Sequence, residues 1–360
     1  MSRAPFASLE EFQTEFNTVL QSYITERNTL SRYTTVAPLV QQVVDHTIHI
    51  ALHGGKRLRP YMCMLAYQAC GGANIDKVLK FSVALELFHV FALIHDDMID
   101  KGKERHGIPT THEFVREVIS SYPRGDSQHL GNSFGVLAGD IIFSWSYELV
   151  MKSDISEVQQ IFAQMIDEVL VGQMLDVSLM TQVHVPPEVL AKKNELKTAL
   201  YSFVNPMLIG HAFAEAEQQG QRCPQQHSTT EVLKELGIAI GQAFQIQDDM
   251  LDIVGNPAKT GKQNFLDIED GQHTMITQYV FDHGSEEDIA TLKDSFGVSL
   301  DEDKRNKLRA VLDKQAVPFA QKAIQTYITE AHEVLDRTGF DMQSRTQFAT
   351  LLDIIQKRVS

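Results

Sequence analysis

The stretch Phe81-Ser82-Val83-Ala84-Leu85-Glu86-Leu87-Phe88-His89-Val90-Phe91-Ala92-Leu93-Ile94-His95-Asp96-Asp97-Met98-Ile99-Asp100 decides the fold. Val83, Leu87, Val90, Phe91 and Ile94 recur at three- and four-residue spacing, the period of a helix, and the apolar run ends in clustered aspartates. The same period carries Ile161, Met165, Val169, Gly172 and Leu175, and most other long segments. Runs of period two bounded by turns are scarce and β-branched clusters are short, so the expected class is all-α. Helical segments are expected over 8–27, 34–52, 57–70, 75–100, 107–120, 131–151, 155–181, 187–218, 229–254, 269–283, 301–336 and 344–357. The breaks His53-Gly54-Gly55, Gly71-Gly72, Val185-Pro186-Pro187 and Gly255-Asn256-Pro257 carry turn chemistry, but none has the length or polarity of an interdomain linker. A single helical domain over residues 1–360 follows, with surface loops at 121–131 and 218–229.

A second cluster, Gln247-Asp248-Asp249-Met250-Leu251-Asp252, repeats the DDxxD pattern of Asp96-Asp97-Met98-Ile99-Asp100. At 3.6 residues per turn, the first and last aspartates of each motif lie on one helix face, where their carboxylates can converge. One such motif reads equally well as a solvated acidic helix end. Two of them, each following an apolar helix, argue for a site. Carboxylates crowded on a half-buried face repel one another unless a cation compensates. Mg²⁺ suits this role because it is typically shared between one or two carboxylates and substrate phosphates. Two such helices gripping one diphosphate through several Mg²⁺ ions would reconcile an acidic chain with an anionic substrate and stabilise the departing diphosphate.

Composition sets the outer limits. An apolar share of 43% and a charged share of 22% are those of a globular chain. The net charge of -15 argues against nucleic acid as partner, because that binding rests on clustered Lys and Arg. No uninterrupted apolar run reaches the roughly 18 residues of a membrane span. The N-terminal residues lack a secretory or transit pattern. Cys63, Cys70 and Cys223 lack metal-ligand spacing, so thiols in a reducing cytoplasm are expected.

Positive charge stands where an anionic substrate would need it. Gly54-Gly55-Lys56-Arg57-Leu58-Arg59-Pro60 is a turn with a compact basic cluster, Arg105 follows Asp100 closely, and Lys197-Thr198 and Gly261-Lys262 supply two further sites. With the aspartate clusters, these residues give the chain a resemblance to the trans-isoprenyl diphosphate synthase (polyprenyl synthetase) family. It runs through GGKRLRP at 54–60, HVFALIHDDMID at 89–100, GVLAGD at 135–140, GQMLD at 172–176, KTALYSF at 197–203 and GQAFQIQDDMLDIVG at 241–255. The resemblance implies one large helical bundle with a central cavity. It also implies head-to-tail condensation of isopentenyl diphosphate with an allylic diphosphate, and a homodimer.

By the same resemblance, Asp96, Asp97 and Asp100 form one metal cluster and Asp248, Asp249 and Asp252 the other. Lys56, Arg59 and His89 match the isopentenyl diphosphate pocket. Arg105, His106, Lys197, Thr198, Gln245 and Lys262 fall on the allylic side. Alone, His89 reads as a core histidine; its place seven residues before Asp96 changes that reading. Two departures stand out. His106 occupies the position of the family's second arginine, a weaker phosphate partner than a guanidinium fork. Gln272 stands where the family carries a basic residue.

The elongating tail is expected to run beside the helix that ends in Asp96. Phe91 lies about 7.5 Å below that aspartate, with Phe88 a turn deeper on the same face. An aromatic five residues before the first cluster resembles archaeal geranylgeranyl diphosphate synthases, so that product is expected first and farnesyl diphosphate next. A class I terpene cyclase and a non-catalytic partner subunit are the alternative readings. A cyclase needs one substrate diphosphate and no GGKRLRP cluster, and a partner subunit usually loses one or both aspartate clusters.

Overall fold

The structure, a computed structural model, describes residues 4–29, 37–122, 124–218, 226–255 and 263–357. Apart from one short hairpin, the regular structure of these residues is helical. The chain gathers into two compact units, Met1–Gln159 and Gln160–Ser360.

The first unit contains α1 (Leu9–Thr29), α2 (Pro38–Leu52), α3 (Leu58–Ala69), α4 (Ile75–Ile99), α5 (Thr111–Ser120) and α6 (Ser127–Met151). Between α4 and α5, the antiparallel pair β1 (Glu104–Arg105) and β2 (Ile108–Pro109) replaces the helix expected from residue 107. His106 (φ 54°) and Gly107 (φ 74°) are both left-handed, the backbone that a tight two-residue turn requires. The Asn74 side chain caps α4 by accepting from the Lys77 N–H (3.3 Å). Beyond it the helix is apolar on nearly every side, which suits a core position packed by α3 and α6. The Ser146 hydroxyl donates to the Ala84 carbonyl (2.7 Å) and ties α6 to α4.

Two helices, Ile75–Ile99 and Ser127–Met151, are long and apolar enough to cross a membrane by length and mean hydropathy, a property that a count of uninterrupted apolar runs does not register. Isolated polar residues such as Glu86 and His89 hid the first from that count. Its apolar window is 72% buried, as in a core helix, against 39% for the second. On α6, Val136, Leu137, Ile141, Tyr147 and Met151 are exposed.

The second unit holds most of α7 (Ser156–Leu179), then α8 (Pro187–Asn194), a stretch of wide π-helical turns (Glu195–Val204), α9 (Asn205–Glu217) and α10 (Gln226–Val254). The short α11 (Leu266–Glu269) follows, with α12 (Met275–His283), α13 (Glu286–Lys293), α14 (Glu302–Val311), α15 (Val317–Asp336) and α16 (Met342–Gln356). Helix α13 was not expected; its Ser285–Asp288 capping box marks the start of a short, highly charged helix with little apolar period. Helix α10 packs on α15 and on the wide turns. Gly172 lets α7 approach those turns, since a Cβ there would fall 2.6 Å from the Lys197 backbone nitrogen. Widened turns of this kind redirect side chains and recur at functional sites. Here they carry Lys197 and Thr198.

Candidate active site

The GGKR turn of the first unit is built on left-handed backbone at Gly54 (φ 74°), Gly55 (φ 83°) and Arg57 (φ 52°). A Cβ at Gly54 would lie 2.8 Å from the His106 ring, so glycine is what lets the turn and the hairpin touch. Arg57 anchors the turn. It is 4% exposed and donates to Asn17 Oδ1 (3.0 Å), Glu86 Oε1 (2.5 Å) and the Leu52 carbonyl (3.1 Å). Lys56 beside it is exposed, and Arg59 is half-buried in the first turn of α3.

The turn, α4 and the hairpin together enclose a pocket lined by His53, Gly54, Gly55, Arg57, His89, Arg105 and His106 among others. Burial, and then the charges of Arg59, Arg105 and Arg57, hold the His89 imidazole well below its ordinary pKa. A neutral ring among cations is a hydrogen-bonding group for an anion rather than one more charge. Arg105 and His106, assigned by resemblance to the allylic side, thus line the same pocket as His89.

Of the first aspartate cluster, Asp96 and Asp100 are half-buried, and the Asp100 N–H closes α4 on the Asp96 carbonyl (2.8 Å). Asp97 is 6% exposed and engaged elsewhere. Its carboxylate accepts from Arg105 Nη2 (2.7 Å) and from Arg105 Nε (3.0 and 3.1 Å), a fork that fixes the guanidinium plane. Below the cluster, the Phe88 and Phe91 rings lie 5.5 Å apart. Phe143 of α6 stands 5.0 Å from Phe91, and His95 meets the same ring edge-on at 4.6 Å.

In the second unit, Asp249 accepts from Gln245 Nε2 (2.7 Å), while Gln245 Oε1 accepts from the Thr198 hydroxyl (2.5 Å). Asp252 accepts from the N–H groups of Leu266 (3.0 Å) and Asp267 (3.3 Å). Asp248 is exposed. Burial, followed by the charge of Asp267, pushes Asp249 up to about 7 and Asp252 up to about 8. Burial and then Asp248 push Asp267 up to about 6. Nearby, Asp176 is paired with Lys193 (3.0 Å) and Lys197 (2.6 Å). Burial works to raise Asp176, and the two ammonium groups outweigh it, holding the carboxyl below its usual range.

Sequence reasoning assigned no role to Asp176, Lys193 or Asp267. Lys193 stands one turn before Lys197, which was a usable signal. Asp267 follows a break in the helical pattern and gave none. Lys262, Cys223 and the Asn256-Pro257 part of the expected break lie outside the described residues.

No group of three or more His, Cys, Asp or Glu side chains among the described residues is gathered tightly enough to hold a metal ion by itself. The donor chemistry still fits a hard divalent cation. Asp248, Asp249, Asp252 and Asp267 offer only oxygen donors, and burial, followed by the charge of neighbouring carboxylates, opposes the ionisation of Asp249, Asp252 and Asp267 until positive charge arrives. Mg²⁺ in particular keeps waters and takes substrate phosphates as ligands, so a complete protein cage is not required.

The polyprenyl synthetase family profile matches residues 38–314. A short chain isoprenyl diphosphate synthase of Methanocaldococcus jannaschii is 31% identical over 291 residues, covering 80% of this chain and 74% of the relative. A geranylfarnesyl diphosphate synthase of Aeropyrum pernix is 26% identical over 324 residues, covering 87% and 93%. Among solved structures, a geranylgeranyl pyrophosphate synthase from Corynebacterium glutamicum, complexed with isoprenyl diphosphate and magnesium, superposes with a TM-score of 0.88 at 27% identity, covering 98% of this chain and 99% of that one. The chain belongs to the polyprenyl synthetase family. Its class of reaction is short-chain prenyl diphosphate synthesis.

Proposed function

We propose that this chain condenses isopentenyl diphosphate with an allylic diphosphate in a Mg²⁺-dependent, head-to-tail reaction whose main product is geranylgeranyl diphosphate. The observation that carries the reading is the cationic pocket of the first unit, where Arg105 and His89 stand beside the aspartate cluster at the end of α4. A diphosphate in that pocket meets preorganised donors. Asp97 keeps Arg105 in one orientation, Arg57 keeps the GGKR turn in shape, and neutral His89 offers a hydrogen bond. Bound Mg²⁺ ions would supply Lewis-acid stabilisation of the departing diphosphate, with Asp96 and Asp100 as protein ligands in the first unit and Asp248, Asp249 and Asp252, aided by Asp267, in the second.

The remaining steps use the chain's own groups. Lys197 places an ammonium beside Asp176, and the Thr198–Gln245 pair presents oxygen dipoles suited to a developing allylic cation. No covalent nucleophile is required. Phe91, with Phe88 and Phe143 behind it, forms the wall that stops the tail. The A. pernix relative, by name a maker of a longer product, keeps geranylfarnesyl diphosphate as the second reading.

The exposed apolar face of α6, including Leu137 (57%) and Met151 (58%), supports a homodimer in which a second copy covers it. A cytoplasmic setting is part of the same reading, and Cys63, which forms no disulfide, accords with it. The test is incubation of the purified chain with labelled isopentenyl diphosphate, Mg²⁺ and dimethylallyl, geranyl or farnesyl diphosphate, with products resolved by mass spectrometry. Label in a C20 diphosphate supports the proposal; cyclic hydrocarbon without label incorporation makes it a cyclase.

A further inference from the structure

Helix α14 carries none of the motifs used above, yet its Arg305 reaches the peptide that closes on the second aspartate cluster. Arg305 donates from Nη1 to the Asn264 carbonyl (2.5 Å), from Nη2 to Glu269 Oε1 (2.7 Å) and Gln263 Oε1 (3.4 Å), and from Nε to the Leu300 carbonyl (3.2 Å). Glu269 Oε1 also accepts the Leu300 N–H (2.6 Å), so the start of the helix and the end of the peptide share one carboxylate. One turn along, the Arg309 guanidinium lies 4.8 Å from the centre of the Phe265 ring. Residues 263–269 are therefore clamped at both ends by a single helix face.

The clamped peptide acts directly on the cluster. Its Leu266 and Asp267 N–H groups hold the Asp252 carboxylate, one to each oxygen. The Asn264 side chain donates to the carbonyls of Asp252 (3.1 Å) and Gly255 (2.9 Å), and the Phe265 N–H donates to the Asp252 carbonyl (2.9 Å). The same peptide carries the Asp267 carboxylate. Phe265 adopts left-handed backbone (φ 68°), which a bulky side chain holds only when its surroundings impose it. The Arg305 contacts on either side and the Arg309 stack are such an imposition.

We propose that Arg305 is a positioning residue for the second aspartate cluster, setting the orientation of Asp252 and the place of Asp267 through the peptide 263–269. The inference rests on the proposed function of that cluster. A planar fork is what the geometry demands, since four acceptors at fixed places are met by one guanidinium and cannot be met by one ammonium. Arg305→Met keeps an apolar stem and removes the fork; Arg305→Lys keeps the charge and loses the plane.

The experiment measures Mn²⁺ binding to the full chain by electron paramagnetic resonance, with and without inorganic diphosphate, together with Mg²⁺ activation curves, the KM for isopentenyl diphosphate and thermal unfolding. Arg305→Met is expected to weaken Mn²⁺ binding in the presence of diphosphate about tenfold to a hundredfold. The Mg²⁺ concentration for half-maximal rate rises in step, Arg305→Lys rescues only part of the loss, and the KM for isopentenyl diphosphate holds. Should Arg305→Met fail to fold, Glu269→Gln releases the same clamp and carries the test. Unchanged Mn²⁺ affinity in a folded variant overturns the inference, as does a uniform loss in every parameter. A wild-type chain that binds no Mn²⁺ or condenses nothing sinks the functional reading instead.

Discussion

Arg57 and Asp97 show how two charged side chains inside the conspicuous motifs serve by holding their neighbours. Arg57 and Glu86 are nearly fully buried together, so Arg57→Ala leaves a carboxylate without compensation and is expected to cost about 3–5 kcal/mol. Chemical denaturation reads this directly. Asp97 faces Arg105 rather than solvent, so Asp97→Asn keeps the shape and weakens the fork. Hydrogen bonds between charged partners contribute about 1.5–3 kcal/mol, so the KM for the diphosphate that Arg105 contacts is expected to rise about tenfold to a hundredfold. The half-saturating Mg²⁺ concentration should stay near that of the wild type. A large shift in that concentration would instead make Asp97 a metal ligand.

Helix α4 was legible because its apolar period and its terminal aspartates are local properties of the sequence. The hairpin at 104–109 was not, since two residues per strand leave no alternating run, and its signal was limited to His106-Gly107 at the turn. The wide turns at 195–204 were equally hidden, because their apolar spacing is close to that of an ordinary helix. Tertiary packing also extends what the spacing of Phe88 and Phe91 suggested. Phe143 comes from α6, and no pattern within α4 could have named it. Phe91→Ala is therefore expected to lengthen the product by about one isoprene unit, with the Phe143 ring behind the opened space, and Phe91→Ala with Phe143→Ala to lengthen it further. Thin-layer chromatography of the dephosphorylated products distinguishes these outcomes, and an unchanged chain length in both variants would remove this cluster from the wall.

Across the chain, the DDxxD motifs, the GGKR turn and Lys197-Thr198 were readable in order, whereas Asp176, Lys193 and Asp267 became visible only through the partners that folding gives them. Those partners set a pH dependence. Asp249, Asp252 and Asp267 titrate above an ordinary aspartate near 3.9, so between about 4 and about 8 the folded chain holds protons that the unfolded chain has released. Their contribution is complete at the acid end of that window and is lost as pH rises through it. The metal-free chain is thus expected to melt at lower temperature at pH 8 than at pH 6, and Asp267→Asn, which relieves Asp249 and Asp252 of a neighbouring charge, should flatten the slope.

Both acidic clusters are assigned to one chemical event, and labelled isopentenyl diphosphate with farnesyl diphosphate and Mg²⁺ tests that assignment most directly. The wild-type chain is expected to form labelled C20 diphosphate, and Asp96→Asn and Asp248→Asn are each expected to lose at least about a hundredfold in rate while remaining folded. Condensation that survives the loss of either aspartate would contradict it.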